Sequence, residues 1–400
     1  MKRIVLLVGI IISSISLFAQ QSFYRTANRY YSKTLYQQAQ SGDAAAMNDI
    51  GSCYDRGAGI AQNREDAARW FRASANKGNS MGEYNVGLYH ENGFIQIDEN
   101  DPEVLVVINN TPLNLVAARH WYEMSAKHGF IPGKAKIAEF YYKGIGGIKD
   151  IPTALTYYKQ LAEKDKNNYL IWNCVIGQIY RDQGDIDQAI IYYRKSAEMG
   201  FVQAQCDLAQ CYLTKMDEKN AVYWFQKMVE TDKDITNTAG RITLGSMYEY
   251  GRGGLPVSYK KAFELYSQNA GKGDARGVYE VGRMYFEGKY VKQDYIKAFE
   301  YFKKAAKSDY GKALYRMGIA CYKGDHVDRN YQEAVNYFNR ALNDILLIDE
   351  ARGDILMKLS SCYRYELGVK KDEQKADQLL KEASKYGNAD AQAILEWLSK

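Results

Sequence analysis

A short pattern recurs along the chain and limits what the chain can fold into. The segment GSCYDRGAGIAQNREDAARWFRASANKG (residues 51–78) aligns without a gap with GRMYFEGKYVKQDYIKAFEYFKKAAKSD (residues 282–309). Both have a Gly, a Tyr three residues later, a second Gly six residues later and an Ala sixteen residues later. An aromatic pair follows three residues after that Ala, as Trp70–Phe71 and Tyr301–Phe302. Self-similarity at such a period indicates a repeat architecture.

The frame begins again at other points and gives nine units. Its starting positions are Gly51, Gly87, Ala138, Gly177, Ala209, Gly245, Gly282, Gly318 and Ser360. The distance from the starting position to the Ala is sixteen residues in units one, three, seven, eight and nine, and seventeen in unit six. Units four and five have only twelve, which predicts shorter turns in the middle of the array.

The pattern is typical of paired α-helices. Small residues at the starting position and at the later Ala, such as Gly282 and Ala298, let two helices approach closely. The Tyr and the aromatic pair then fill the space between neighbouring helix pairs. Only five prolines occur in 400 residues, so helices are rarely interrupted. Because one helix pair cannot bury its apolar faces alone, we expect the units to stack.

These features resemble the Sel-like (Sel-one-like) repeat, a branch of the tetratricopeptide superfamily, over residues 45–387. The resemblance implies an all-α fold, namely a right-handed superhelical solenoid of stacked antiparallel helix pairs. The twelve-residue spacing of units four and five matches ordinary tetratricopeptide repeats. Residues 20–44 resemble a lone second helix and residues 388–400 a lone first helix. We expect both to act as capping helices.

The N-terminal residues have the composition of an export signal. Lys2 and Arg3 precede an apolar run from Ile4 to Ala19, and small residues lie near its end. We expect residues 1–19 to be a cleaved signal peptide, which places the mature protein in the periplasm or outside the cell. The alternative is an uncleaved anchor that tethers the protein to the membrane, because the run is only slightly shorter than a membrane span.

Six cysteines raise the question of reactive thiols or disulfides. Cys53 lies two residues after the start of unit one, where other units have Tyr89, Met247 or Met284. That position is an apolar packing slot, in which cysteine behaves as a small hydrophobic residue. All six cysteines lie in predicted first helices. Family members with a bridge inside a repeat need a second-helix cysteine, so we predict packed thiols and no disulfide.

The candidate catalytic and metal-binding patterns are incomplete. Gly-rich stretches at residues 144–147 and 251–254 lack the Lys-Ser/Thr of a phosphate-binding loop. Two Ser-x-x-Lys stretches, at 74–77 and 258–261, lack the other motifs of penicillin-recognising enzymes. The four histidines have no carboxylate or cysteine at a recognisable ligand spacing. We predict no catalytic residue, no cofactor and no metal site, and therefore no enzyme.

Unit two departs from the frame by a fifteen-residue insertion, at about residues 94–111. It contains two β-prone runs, residues 94–97 and 104–108, around an acidic turn with Pro102. Such a pattern predicts a small β-hairpin. A variation in loop length explains the insertion equally well, and both explanations stay open.

By analogy with tetratricopeptide arrays, the resemblance implies a groove lined by first-helix side chains one, four and five residues after the starting position. Apolar residues of the insertion would add to it, because exposed apolar groups on a protrusion indicate a partner. We predict that the acidic end of the groove and the insertion form one recognition surface. The candidate partner-binding residues are Asp55, Glu91, Tyr142, Arg181, Glu249, Phe286, Lys323 and Arg364 in the groove, with Phe94, Ile95 and Val106 in the insertion.

The resemblance implies an exported, non-catalytic scaffold or adaptor that binds a protein or a peptide. Of 53 basic residues, 51 remain without Lys2 and Arg3, against 48 acidic residues. This balance does not favour nucleic acid as a partner. The alternative is a cell-envelope hydrolase or a binder of cell-wall fragments. A cleft with convergent acidic and basic residues would support this alternative.

Overall fold

In the computed structural model, residues 30–94, 96–97, 105–106, 113–344 and 347–398 are described. They form twenty α-helices, two short 3-10 segments (Lys166–Asn168 and Arg252–Gly254) and one pair of two-residue strands. The all-α class predicted from the sequence is confirmed. The predicted signal peptide, residues 1–19, lies outside the described residues.

Eighteen of the helices form nine successive pairs, one for each unit of the repeat frame. The first helices are Ala44–Arg56, Ser80–Glu91, Ile131–Lys143, Tyr169–Asp182, Val202–Thr214, Thr238–Tyr250, Ala275–Glu287, Gly311–Lys323 and Asp349–Arg364. The second helices are Arg64–Asn76, Leu115–Lys127, Ile151–Lys164, Ile186–Ala197, Glu218–Thr231, Tyr259–Gly271, Tyr295–Ala306, Tyr331–Leu342 and Glu373–Lys385. Helices Lys33–Gln40 and Ala389–Leu398 lie in the segments predicted as caps, and their capping role stays a prediction.

The pairs belong to two compact bodies. One body ends at Ala204 and the other begins at Gln205, within the first helix of unit five. In the N-terminal body the eight helices from Ala44–Arg56 to Ile186–Ala197 pack in chain order, each against the next one of the series. Units six to nine pack in the same order in the C-terminal body.

The small residues of the frame are contact points between the two helices of one unit. A Cβ atom added to Gly87 would lie 2.7 Å from the Tyr122 ring, and one added to Gly318 would lie 2.6 Å from the Phe338 ring. Two non-bonded carbon atoms cannot approach each other so closely. The aromatic ring of the second helix therefore occupies the space that a side chain at the Gly position would need. This explains why the frame begins with Gly in most units.

The Ala of the frame is fully buried in each second helix. In all nine units this Ala has no exposed surface: Ala67, Ala118, Ala154, Ala189, Ala221, Ala262, Ala298, Ala334 and Ala376. A buried methyl group at the same place in every unit confirms the register of the repeat frame. It also holds for units four and five, where the turn before the second helix is shorter.

A recurring backbone hydrogen bond closes the turn between the two helices of a unit. In unit one the N–H of Asn63 donates to the carbonyl of Tyr54, nine residues earlier. The side chain of Asn63 also caps the second helix by accepting from the N–H of Glu65. Units three, six, seven, eight and nine have the equivalent backbone bond, with donors Asp150, Ser258, Asp294, Asn330 and Asp372.

All six cysteines are buried, as predicted for packing residues: Cys53, Cys174, Cys206, Cys211, Cys321 and Cys362. Burial raises the pKa of Cys321 and of Cys362 to about 11. Thiols in such surroundings react slowly, because the thiolate is the nucleophile and it is disfavoured.

We therefore expect a thiol reagent to label the native protein at pH 7.5 far more slowly than the unfolded protein. In denaturant, a preparation made without reductant should react at six thiols per chain. The measurement is a spectrophotometric thiol titration before and after unfolding. A count of four or fewer would contradict the prediction and show that disulfides form.

Candidate functional site

The insertion of unit two leaves the repeat at one point and returns beside it. The N–H of Phe94 donates to the carbonyl of Tyr89, and the N–H of Asn114 donates to the carbonyl of His90. The second bond is equivalent to the turn-closing bond of units one, three and six to nine, but the donor here lies 24 residues after the acceptor instead of nine or ten. The insertion is therefore a segment added to a turn that keeps its usual closure.

Within the insertion, the structure describes one short ladder. Gln96 pairs with Val106 and Ile97 with Leu105, in antiparallel register. Residues 95, 98–104 and 107–112, which include Ile95, lie outside the described residues. The predicted hairpin as a whole therefore stays a prediction.

Phe94, the first residue of the insertion, packs on unit two and unit one. Its ring lies 5.4 Å from the Tyr89 ring in an edge-to-face arrangement, and the guanidinium of Arg64 lies 4.4 Å from its centre. Edge-to-face ring pairs and cations over ring faces are both attractive arrangements. The base of the insertion is thus fixed against the repeats.

A pocket lined by Phe94 lies among residues of units one to three. Its lining includes the buried rings of Phe71, Tyr84 and Tyr89. Phe94 and Phe130 also line it and are half-buried. The remaining lining residues are Ser52, Asp55, Arg56, Met81, Asn85, Leu88, Asn92 and Pro132. The pocket therefore brings together two of the predicted residues, Asp55 and Phe94, that lie 39 positions apart in the sequence.

Asp55 is held at the edge of the pocket by a neighbouring unit. The hydroxyl of Tyr89 donates to Oδ1 of Asp55 over 2.5 Å, although the two residues belong to different units. Asp55 is partly exposed. A half-buried carboxylate with one oxygen bonded to the protein can accept further hydrogen bonds from a partner at the other.

Glu91, the other acidic residue of the predicted surface, is more strongly engaged. It accepts hydrogen bonds from the hydroxyl of Tyr122, at 2.5 Å, and from Nζ of Lys136, at 2.9 Å. Lys136 lies on the first helix of unit three, so the ion pair joins consecutive first helices. Since 25% of the Glu91 side chain remains exposed, a partner can still reach it.

Tyr142 and Arg181 continue the fourth-position row in units three and four. Tyr142 is buried and donates its hydroxyl proton to Asp182 on the next first helix, at 2.7 Å. Burial and this hydrogen bond raise the pKa of Tyr142 above its ordinary range. Arg181 is half-buried, donates to Gln178 and lies 5.6 Å from the ring of Tyr193. Both side chains mainly bind neighbours in the fold.

In the C-terminal body, Glu249 is the most deeply buried residue of the predicted set. Its side chain has no exposed surface and accepts hydrogen bonds from Arg283, Lys289 and Tyr266. Burial alone would raise the pKa of Glu249, but the bonds from Arg283 and Lys289 outweigh it and the pKa lies below the ordinary value. Such a buried, paired carboxylate is a structural contact, because removal of one partner leaves a buried charge uncompensated.

The remaining predicted residues of this body differ in their exposure. Phe286 lies in a cluster of rings with Tyr295 and Phe299, and the guanidinium of Arg316 lies 5.4 Å from its centre. Lys323 is exposed. Arg364 is partly exposed and pairs with Asp377 at 2.5 Å. Partner binding by these residues stays a prediction.

The sequence did not identify the residues that bond to the fourth-position row. Lys136 lies two residues before the starting position of its unit, Tyr89 two after it and Arg283 one after it. Each contacts the fourth-position residue of the preceding unit. A charge of opposite sign one repeat length further along, at these offsets, is the signal that would have found Lys136 and Arg283.

One stretch with the spacing of a hydrolase nucleophile, Gly78-Asn79-Ser80-Met81-Gly82, lies in the turn between units one and two. A nucleophile elbow connects a strand to a helix. Here both neighbours are helices, and Asn79 caps the second of them. His128 is bonded to the buried Glu83 at 2.9 Å, and Ser80 has no side-chain hydrogen bond within the described residues. The stretch is therefore part of the repeat turn.

Comparison with known families agrees with this architecture. The Sel1 repeat model matches residues 44–79, 80–103, 109–130, 132–166, 177–201, 202–230, 243–274, 275–310, 311–344 and 356–388. The second and third of these segments belong to unit two and are interrupted at residues 104–108, within the insertion. The matches cover well over half of the chain, and the chain belongs to the Sel1 repeat family. Proteins of this family are generally non-catalytic scaffolds that mediate protein interactions.

Among curated proteins, the chain is 24% identical over 245 residues to an uncharacterised Sel1-like repeat-containing protein of Schizosaccharomyces pombe, covering 56% of this chain and 33% of that protein. It is 27% identical over 162 residues to chitin synthase regulatory factor 3 of the same organism, covering 38% of this chain and 17% of that protein. The chain thus spans a third or less of the length of these relatives.

Two solved structures share the fold over nearly the whole chain. A Sel1 repeat protein from Oxalobacter formigenes has a TM-score of 0.52 at 20% identity and covers 92% of this chain and 89% of its own. A protective antigen of uropathogenic Escherichia coli strains, which displays an SLR fold, has a TM-score of 0.50 at 22% identity and covers 90% and 82%. The likeness shows a solenoid fold of stacked helix pairs.

Proposed function

We propose that the protein is a non-catalytic scaffold that binds a protein or peptide partner on the first helices of its N-terminal units and on the insertion of unit two. The observation that carries the proposal is the pocket at the base of the insertion. Three consecutive units and the first residue of the insertion line it together. A concave site with an apolar floor and a few polar groups at its edge is typical of binding sites.

The fourth-position row supports an extended contact beside this pocket. Asp55 and Glu91 are partly exposed and lie on consecutive first helices of the N-terminal body. In the C-terminal body, Lys323 and Arg364 offer positive charge on consecutive first helices. We propose Phe286, Lys323 and Arg364 as a second, basic contact region, whereas Tyr142 and Glu249 support their neighbours.

We also propose that the protein is exported to the periplasm or secreted. The basis is the basic start and the apolar run of residues 1–19. Within the described residues, no helix combines the length and the apolar character that crossing a membrane requires.

Site-specific crosslinking tests the proposed surface. A photoreactive amino acid placed at Ser52 or Asn92, which line the pocket, should give crosslinked adducts when the purified protein is irradiated in envelope extract. The matched controls carry the same amino acid at Glu163 or Lys195, which are exposed on second helices. The expected result is a discrete adduct band from the pocket positions alone. Adducts of equal yield from the second helices would overturn the proposal.

A further inference from the structure

The pocket at the base of the insertion combines aromatic rings with a carboxylate. The rings of Phe71, Tyr84, Tyr89, Phe94 and Phe130 line it. The rings of Tyr84 and Phe130 lie 5.4 Å apart in an edge-to-face arrangement, as do those of Tyr89 and Phe94. Ring faces carry partial negative charge and attract cations, and the guanidinium of Arg64 already lies 4.4 Å from the centre of the Phe94 ring.

Asp55 adds a full negative charge at the edge of these rings. Its Oδ1 accepts the hydroxyl proton of Tyr89, which fixes the direction of the carboxylate. Among the described residues, no donor lies within hydrogen-bond distance of its Oδ2. A ligand that places an N–H group at Oδ2 would satisfy the remaining lone pairs.

We propose that the pocket takes a basic side chain of the partner, an arginine or a lysine, in which the cation lies against the aromatic rings and donates to Asp55. Cations are attracted to ring faces and to carboxylates alike, and arginine adds the planar stacking that a ring wall favours. Of the charged residues that line the pocket, Asp55 is held in place by Tyr89, whereas Arg56 is exposed. The proposal rests on the proposed function and names the chemistry of the partner at this pocket.

Arg56 is the feature of the lining that opposes a basic ligand. It is exposed, and its Nε donates to the carbonyl of Ser52 on its own helix. An exposed charge is screened by water and salt, so we expect it to weaken the binding of a basic side chain without preventing it. Removal of this charge should therefore tighten the binding of a basic side chain. This increase in affinity is a second effect by which the proposal can be tested.

The test uses the full mature chain and three synthetic five-residue peptides, acetylated and amidated, that differ only in a central Arg, Leu or Glu. Binding is measured by titration calorimetry and by chemical-shift changes. The Arg peptide should bind at least about tenfold more tightly than the Leu peptide, which corresponds to one charge-assisted hydrogen bond. The Glu peptide should not bind.

Variants then assign the effect to the pocket. Asp55→Asn keeps the shape and the acceptor for Tyr89 but removes the charge, and it should weaken the Arg peptide about tenfold. Arg56→Gln should tighten the same peptide about two- to threefold, as expected for a screened charge. The matched control Glu163→Gln, at an exposed carboxylate of a second helix, should change neither value.

The outcomes distinguish the proposed ligand, a basic side chain, from the proposed location of the binding surface. Equal or tighter binding of the Leu peptide would overturn the assignment of a basic side chain, and so would failure of all three peptides at millimolar concentration. In both cases the crosslinking result at Ser52 and Asn92 would stand by itself. If instead the Arg peptide binds to wild type and loses binding in Asp55→Asn, the assignment holds even if no adduct forms in extract.

Discussion

A variant that lacks residues 95–109 is expected to lose the partner that crosslinks to the pocket, while it keeps its helices and its thermal stability. The deletion joins Phe94 to Asn110 and returns the donor Asn114 to nine residues after its acceptor His90, as in unit one. The turn-closing bond can therefore form as before. Loop length itself has little effect on stability, so the melting temperature should change by no more than about 2 °C.

Partner binding should be abolished because the deletion removes the part of the proposed surface that no other unit has. Adduct yield and circular dichroism are the two measurements. A control variant keeps the length but replaces residues 95–109 with a Gly-Ser segment, which separates the role of the side chains from that of the loop. Full adduct yield from the deletion variant would place the site on the repeats alone. A collapsed melting curve would show that the insertion stabilises unit two.

Replacement of Ala298 with tryptophan is expected to lower the free energy of unfolding by at least about 1–3 kcal/mol, the usual effect of overpacking a core. Ala298 has no exposed surface. Its carbonyl oxygen would lie 3.1 Å from a Cβ added to Gly282, so the two helices of unit seven are in contact there. An indole ring at this position must push the helices apart or adopt a strained rotamer.

The control for Ala298→Trp is Glu300→Trp, two residues further along the same helix at an exposed position. Surface substitutions of this kind change stability by about 0.5 kcal/mol or less. Chemical denaturation followed by circular dichroism measures both variants. Equal unfolding curves for Ala298→Trp and wild type would show that the repeat frame is misassigned in unit seven.

The features that recur from unit to unit could be predicted from the sequence. Gly282 and Ala298 are informative because the same residue types occupy the same places in other units, so the paired helices, their close contact and the packed cysteines could be predicted. Periodicity also indicated the insertion, since a departure from a regular frame is visible without a structure. The all-α fold class, which the structure confirms, was predicted from these recurring features.

The contacts between units could not be predicted in the same way. The period shows which face of a helix a residue lies on, but it does not show which side chain of the next unit reaches it. Glu249 illustrates this limit: as a charged residue at a groove position it indicated an exposed contact, whereas Arg283 and Lys289 enclose it fully. The pocket was missed for the same reason, because Asp55, Tyr84 and Phe130 come from three different units.

The bonds between first helices have a consequence for how such an array can change in evolution. The contacts of Gly with an aromatic ring lie inside a unit, so a unit can be duplicated or lost with its own packing intact. Glu91 with Lys136, Tyr142 with Asp182 and Glu249 with Arg283 instead join particular neighbours. Shuffling the units would place these groups beside residues of the wrong kind and leave charges such as that of Glu249 buried without a partner. The ring contacts therefore make the units interchangeable in shape, and the polar bonds between units preserve their order.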